Sequence, residues 1–490
     1  MKRFVICAWM IIAALASAAH AAPGEDDYYK IVTLAVPKNI VLEVSGILSM
    51  KDGRLMVCTR RGEVYIVENA YADPGTVKFN RWTFGLAEPL GMYESDGWIY
   101  VAQRGELSRL KDSNSDDVAD VFETVNDDWA ISGNYHEYCF GPTPDKDGYL
   151  WVTLNKPFGG EPYGKAHWRG WAVRIDPKTG KMHPMANGLR SPAGVATSPA
   201  GDVFYTDNQG EWCNASKLSH LEFGDFHGHP HGLDSVNLPG NPIKGPQVKD
   251  VPSGTYMKDL KAKIPSFKMP AVWFPYEKMG KSPSGMAWDT SKGKFGPFDG
   301  QLFVGDQHHA TVMRVFLEKI DGHWQGAAFP FRQDFQCGVI RVAFGTDASM
   351  FVGMSNRGWG GRGNAPYGLQ RLVYTGKVPF EIHEMRAKVD GFELTFTQPV
   401  DKASAEDVNS YRGESYTYKL AANYGGPEDD KMKIAVTKAT VSGDGKSVRL
   451  TIDPLRAGYV HELHLPGVKN AAGEGLLHPA AYYTLVNVPK

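Results

Sequence analysis

At 490 residues, 42% of them apolar and 12% aromatic, the chain exceeds one ordinary domain and can bury a large core. Its formal net charge of −2 excludes the basic balance expected for nucleic-acid or anionic-membrane binding, so a small neutral or acidic substrate is expected. The 54 glycines and 31 prolines, with little helical periodicity, favour an all-β chain rich in turns.

Lys2 and Arg3 precede an apolar run from Phe4 to Ala16, and Ala19-His20-Ala21 supplies small residues for cleavage. Residues 1–21 therefore read as a signal peptide and the mature protein as periplasmic or secreted. Cys7 has no lipobox before it, and no later segment reaches about 18 uninterrupted apolar residues, so no membrane span is expected.

A phrase then recurs: a Gly/Asp turn, four or five apolar or alternating residues, and a short polar cluster. It begins at Asp52, Asp96, Asp147, Ala200, Asp299 and, degenerately, Asp347. A period of roughly 40 to 50 residues built from short strands predicts a β-propeller, because one blade cannot bury its two faces alone. The expected fold is all-β: a six-bladed β-propeller over residues 22–377, followed by a small immunoglobulin-like β-sandwich over 378–490. If the phrases point the same way, their polar clusters converge on one pocket. Those clusters are Thr59-Arg60-Arg61, Gln103-Arg104, Leu154-Asn155, Asp207-Asn208-Gln209, Asp306-Gln307-His308-His309 and Ser355-Asn356-Arg357.

Between the second and third phrases, Asp112, Asn114, Asp116, Asp120 and Glu123 place oxygen ligands at loop positions 1, 3, 5, 9 and 12, with the Val118 carbonyl at 7. That spacing suits Ca2+, with Asp117 at the position usually held by Gly. Such an ion braces a loop; it performs no chemistry. His136 follows, placed to be delivered to the channel mouth, where a neutral imidazole can take a proton.

The four cysteines left after signal removal, Cys58, Cys139, Cys213 and Cys337, permit three pairings, and buried free thiols are equally compatible with their positions. His227-Gly228-His229-Pro230-His231 reads as a bent corner beside the pocket. The stretch from Asn237 to Pro265 reads as a surface excursion between phrases. From Glu381, about seven short strands without a titratable cluster suggest the sandwich, a structural or docking module.

The segment from Gly188 to Trp212, GLRSPAGVATSPAGDVFYTDNQGEW, resembles the signature of the soluble quinoprotein glucose dehydrogenase and sorbosone dehydrogenase family. The His136 phrase and Val304 to Val315 resemble two further blocks of that family in the right order. The likeness is closest to a secreted bacterial subgroup with a C-terminal β-sandwich. It implies a six-bladed propeller that oxidises an aldose or related carbohydrate with pyrroloquinoline quinone (PQQ) and Ca2+, passing electrons to a separate acceptor. On this resemblance His136 is the base, and Arg190, Gln209 and His308 contact the cofactor. The carbonyls of Gly210 and Glu211 would bind the calcium. The chain departs from the family pattern at Ser191, where Asn is usual, at His308, where Lys is usual, and at Gly338 and Ile340, where a pair of arginines is usual. Arg341, Arg357, Arg60 or Arg104 would have to restore the positive charge that a tricarboxylate needs. Two other readings of the propeller stay open. One is a metal-assisted lyase or hydrolase of the lactonase or sugar-lyase kind, with Asp207, Asn208, Asp306 and His308 around a calcium. The other is a non-catalytic carbohydrate- or protein-binding scaffold.

Overall fold

The computed structural model describes residues 24–158, 166–358 and 360–490; the expected signal peptide lies outside them. The Gly/Asp turns form where the phrases place them. At the second, Asp96 and Gly97 both take left-handed φ values, 51° and 75°, which gives a two-residue turn the twist that a hairpin needs. Each turn joins a first strand to the apolar second strand of the phrase, as in Val44–Ser49 to Leu55–Thr59 and Pro192–Thr197 to Val203–Asp207. The second strands Leu55–Thr59, Leu150–Leu154, Val203–Asp207, Leu302–Asp306 and Met350–Ser355 are buried throughout. Packed between sheets on both faces, they read as continuous apolar runs.

The first strands are the innermost. Val44–Ser49, Met92–Ser95, Cys139–Pro144, Pro192–Thr197, Pro283–Trp288 and Val339–Phe344 pack each against the next, and the last against the first. At some positions neighbouring first strands approach too closely to admit a side chain between them. A Cβ on Gly194 would lie 2.2 Å from the Ser284 carbonyl oxygen of the neighbouring strand. Five of these strands carry a register shift near the same end, the kind of bulge that re-aims a chain at a sheet rim.

The expectation of six separate blades needs correction. Among the described residues five sheets of the ring stand free, four of four strands and one of five. One is closed by the N-terminal strand Tyr29–Thr33, which pairs with Tyr367–Tyr374. The four strands between Pro283 and Arg332 sit in the ring but open an eleven-stranded sheet. Their edge strand His323–Arg332 accepts Ala480–Leu485 as a partner, in the register Gly326↔Thr484 to Ala328↔Tyr482. An uncovered sheet edge is a row of unpaired N–H and C=O groups, and the C-terminal strands satisfy it.

The chain after residue 377 is all-β, but it is not a detached sandwich. Phe316, Ala327 and Phe329 of the ring share a core with Ile382, Phe392, Leu450 and Tyr483. The strand order carries an extension of the ring's sheet, and the immunoglobulin-like label goes beyond it. The excursion lies between Ser216–Leu221 and Val272–Phe274, the third and fourth strands of one sheet, so it is an insertion and not a blade. Its residues Thr255–Tyr256 pair with Lys419–Leu420 and clamp the C-terminal part to the ring. Cys58, Cys139, Cys213 and Cys337 are free and buried, and burial pushes their thiols up to about 11 or 12.

Candidate active site

The polar ends of the strands do meet. A cavity of about 160 Å3 at one end of the ring is lined by Arg60, Asn155, Asn208, Gln209, Gln307 and Arg357 from five of the six clusters. The cluster at Gln103-Arg104 stays behind the wall: Arg104 pairs with Glu88, which also holds Arg60 2.6 Å away.

Two of the cluster carboxylates are structural. Asp207, fully buried, accepts the backbone N–H groups of Arg190 (3.1 Å) and Ser191 (2.7 Å). Burial raises its pKa although the Lys217 ammonium lies 3.9 Å away. Asp306 repeats the device one sheet later, accepting from the backbone of Lys281, Ser282 and His309, each at 2.7 Å. At the ends of Val203–Asp207 and Leu302–Asp306 a carboxylate thus pins the entry to the first strand paired with it. This use removes both from the calcium ring of the lyase or hydrolase reading.

His136 is buried against the cavity wall. Its Nδ1–H donates to the Lys156 carbonyl at 2.8 Å, since a carbonyl can only accept. Burial is the largest influence on its pKa, with the charges of Arg190 and Lys156 acting in the same direction, and together they push it down to about 3. The ring is therefore neutral with a lone pair on Nε2, which accepts from the Ser191 hydroxyl at 3.1 Å. Asn155 Nδ2 donates to that same hydroxyl at 3.3 Å. Ser191, which departs from the expected Asn, thus fixes the His136 ring through its hydroxyl.

Arg190 crosses the wall between two aromatic faces, its guanidinium carbon 5.4 Å from the Phe158 ring centre and 5.2 Å from that of Tyr424. Its Nη2 lies 3.1 Å from Glu211 Oε2, and Lys156 Nζ pairs with Oε1 of the same carboxylate. Burial opposes ionisation of Glu211, but Arg190 and Lys156 overcome it and hold the carboxyl at about 2. The Gly210 carbonyl already accepts from Cys213 (3.2 Å) and Gly425 (3.0 Å). Both lone pairs of the Gly210 carbonyl are thus engaged, which leaves that carbonyl none to offer a calcium ion.

Five cationic side chains line the cavity, Arg60, Arg190, Lys281, Arg341 and Arg357, with no carboxylate among the lining residues. Arg341 stands out because it donates only to backbone carbonyls, those of Ala193, Ile340 and Leu90, leaving its charge uncompensated. Burial lowers its pKa to about 10, so it stays protonated at neutral pH. Of the four arginines that could replace the family's pair, Arg60, Arg341 and Arg357 line the cavity and Arg104 does not. Arg190 Nε, Asn155 Oδ1 and Asn208 Oδ1 are buried without a hydrogen-bond partner. The orphaned Arg190 Nε–H is a donor that an anionic ligand would satisfy, whereas the two amide oxygens call for a donor such as a hydroxyl.

The sequence reading did not find the aromatic wall, Tyr135, Tyr138, Phe158, Tyr276 and Tyr424. Tyr424 belongs to the C-terminal part, whose segment docks through bonds from Trp212 N–H to Ala421 O and Gly425 N–H to Gly210 O, so this part is not only a brace. No local signal in the sequence marks it. His308 is not among the lining residues; it turns its Nδ1 to the Gly360 carbonyl, 2.9 Å away. In the His227–His231 corner, His227 and His229 are buried, and burial drives both well below their ordinary pKa. The Asp112 loop is closed on itself: Asp112 accepts from the backbone of Asn114, Ser115, Asp116 and Asp117. Asp120 accepts from Ser113, and Glu123 sits on a strand paired with Arg109.

A family model described as a domain of unknown function, DUF7133, matches residues 42–236. A search of curated protein sequences finds no match. Among solved structures, a carbohydrate-active enzyme of family AA12 from Trichoderma reesei is 13% identical over 74% of this chain and all of that one, with a TM-score of 0.51. The fold is shared with that enzyme. A glucose dehydrogenase-type oxidoreductase described as putative from Thermus thermophilus (17% identity, 70% of this chain and 100% of that chain, TM-score 0.49) is also similar. So is a PQQ-bound aldose sugar dehydrogenase from Streptomyces coelicolor (14% identity, 72% and 99% covered, TM-score 0.48). Among the described residues, no helix is long and apolar enough to cross a membrane.

Proposed function

We propose that the protein is an exported quinone-dependent oxidoreductase that oxidises an aldose or related carbohydrate, with a separate acceptor taking the electrons. The observation that carries this reading is the cavity wall of five cations and no carboxylate, set with aromatic faces and joined by a neutral His136. PQQ is a planar aromatic tricarboxylate, and Arg190, Arg341, Arg60 and Gln209 would hold it. When bound, it would supply a two-electron acceptor for hydride.

The chain's own residues do the rest. Nε2 of His136 accepts the proton of the substrate hydroxyl, either directly or through Ser191 Oγ, which already donates to it. The Nδ1–H bond to the Lys156 carbonyl keeps the lone pair on Nε2 and disperses the charge that forms there. Tyr135, Tyr276 and Tyr424 give a sugar ring apolar faces to lie on and exclude water. No step is assigned to calcium, because the Gly210 carbonyl already accepts from two backbone donors.

The test is a calorimetric titration of the folded protein with PQQ, repeated on Arg190→Ala, followed by dye reduction with a panel of aldoses. Losing a charge-assisted contact worth about 1.5–3 kcal/mol should weaken binding about 10- to 150-fold. His136→Ala should bind PQQ and lose turnover. No binding by folded wild-type protein would sink the quinone reading and favour a cofactor-free enzyme or a binding scaffold.

A further inference from the structure

Outside the cavity, a second group of side chains is built for chemistry the oxidoreductase reading does not use. Glu277, His308 and His309 meet at the rim, and one ligand atom from each lies within 4.8 Å of the other two. They come from two turns that the ring folds together, Pro275–Gly280 and the turn after Leu302–Asp306. Their chain neighbours Tyr276, Lys281 and Gln307 line the cavity.

We propose that Glu277, His308 and His309 form a binding site for a divalent first-row transition ion of the zinc class, with one coordination position left open at the cavity rim. Two imidazoles and a carboxylate form a donor set that suits such an ion and not calcium, which takes six to eight oxygens. The spacing is close to what is needed. A tetrahedral ion with bonds of about 2.0–2.1 Å sets its ligand atoms roughly 3.3 Å apart. His309 Nε2 and Glu277 Oε2 already stand 3.4 Å apart. Glu277 is exposed, so its carboxylate can close the remaining gap without disturbing packed side chains.

The groups behind the ligands support the same reading. The Nδ1–H of His308 donates to the Gly360 carbonyl at 2.9 Å, which makes Nε2 the lone-pair nitrogen. Ligating histidines are typically oriented by just such a bond from the other ring nitrogen. The backbone N–H of His309 is pinned by Asp306 Oδ1 at 2.7 Å. One group competes with a metal: Lys281 Nζ lies 2.5 Å from Glu277 Oε1. A bound ion must share or displace that ammonium, which gives the proposal a signature that a simple ion pair lacks. Three protein ligands leave a fourth position for water or a substrate oxygen.

The experiment titrates chelator-stripped full-length mature protein with Co2+, reading the visible d–d band and the bound metal per chain, and then displaces the cobalt with Zn2+. One equivalent is expected. Glu277→Gln and His308→Ala should each weaken binding at least about tenfold. Lys281→Met should tighten it. Glu277 is exposed and His308 only half-buried, so both variants should fold, which circular dichroism would confirm. The readout contains no quinone and no sugar, so its failure is separate from failure of the proposed function. Absence of a Co2+ band in the wild type would overturn the proposal. So would unchanged affinity in both variants, which would place the ion elsewhere, for instance at the His227–His231 corner.

Discussion

His478 should make the protein's stability depend on alkaline pH. Its ring lies between two carboxylates, with Nδ1 2.6 Å from Glu381 Oε1 and Nε2 2.9 Å from Glu25 Oε1. Arg332 holds the other oxygen of Glu25 at 2.7 Å. Burial alone would depress the imidazolium, but the two carboxylates outweigh it and raise the pKa from 6.5 to about 9. That difference corresponds to about 3 kcal/mol of stabilisation. Because the folded-state value lies above the unfolded one, the stabilisation is complete below pH 6.5 and is lost as the pH climbs through 9. His478→Gln removes the charge that ties the N-terminal segment to the last strands. Urea unfolding at pH 6 and pH 10, together with hydrogen exchange of Tyr29–Thr33, would measure the effect. The variant should be less stable than wild type by about 3 kcal/mol at pH 6, and the difference should shrink to a small fraction at pH 10. A difference that stays constant with pH, or grows as the pH rises, would refute the reasoning.

Gly210→Ala should act as a conservative copy of Arg190→Ala. The new Cβ would lie 2.1 Å from the Arg190 guanidinium carbon, and the flexible tip must move, so PQQ affinity should fall by at least tenfold, on the order expected for a lost charged contact, while the melting temperature barely changes. A calorimetric titration alongside a thermal melt separates the two effects, and unchanged affinity would remove Arg190 from the ligand site. Asp207→Ala should do the opposite. It strands two buried N–H groups and leaves the Lys217 ammonium, 2.9 Å from the His227 carbonyl, without its carboxylate. The expected cost is about 3–5 kcal/mol in urea unfolding, and a loss below about 1 kcal/mol would show that the pin carries little.

The parts of the fold legible in the sequence are those set by local chemistry. Asp96-Gly97 takes left-handed turn geometry because its residue types tolerate it, and the strand that follows is apolar because both its faces are covered. The boundary at residue 378 was readable as a change of pattern but not as a structural break. The β-favouring residues Tyr482 to Thr484 say that Ala480–Leu485 is a strand, and they cannot say that its partner is His323–Arg332. The candidate site divides the same way. His136, Arg190 and Gln209 were legible through a motif and reach the cavity, whereas His308 shares the motif's neighbourhood and is not among the lining residues.

The sequence by itself determined an all-β chain of repeated hairpins whose polar strand ends gather at one place, because turn preference and two-residue periodicity act over a few residues. Only the tertiary structure decided what those ends would be used for. Asp207 and Asp306 hold backbone, Glu211 is spent between Lys156 and Arg190, and Tyr424 arrives from more than two hundred residues along the chain to complete the wall. Each of these outcomes depends on which distant groups compete for the same lone pair or the same charge, and that competition exists only once the ring has closed.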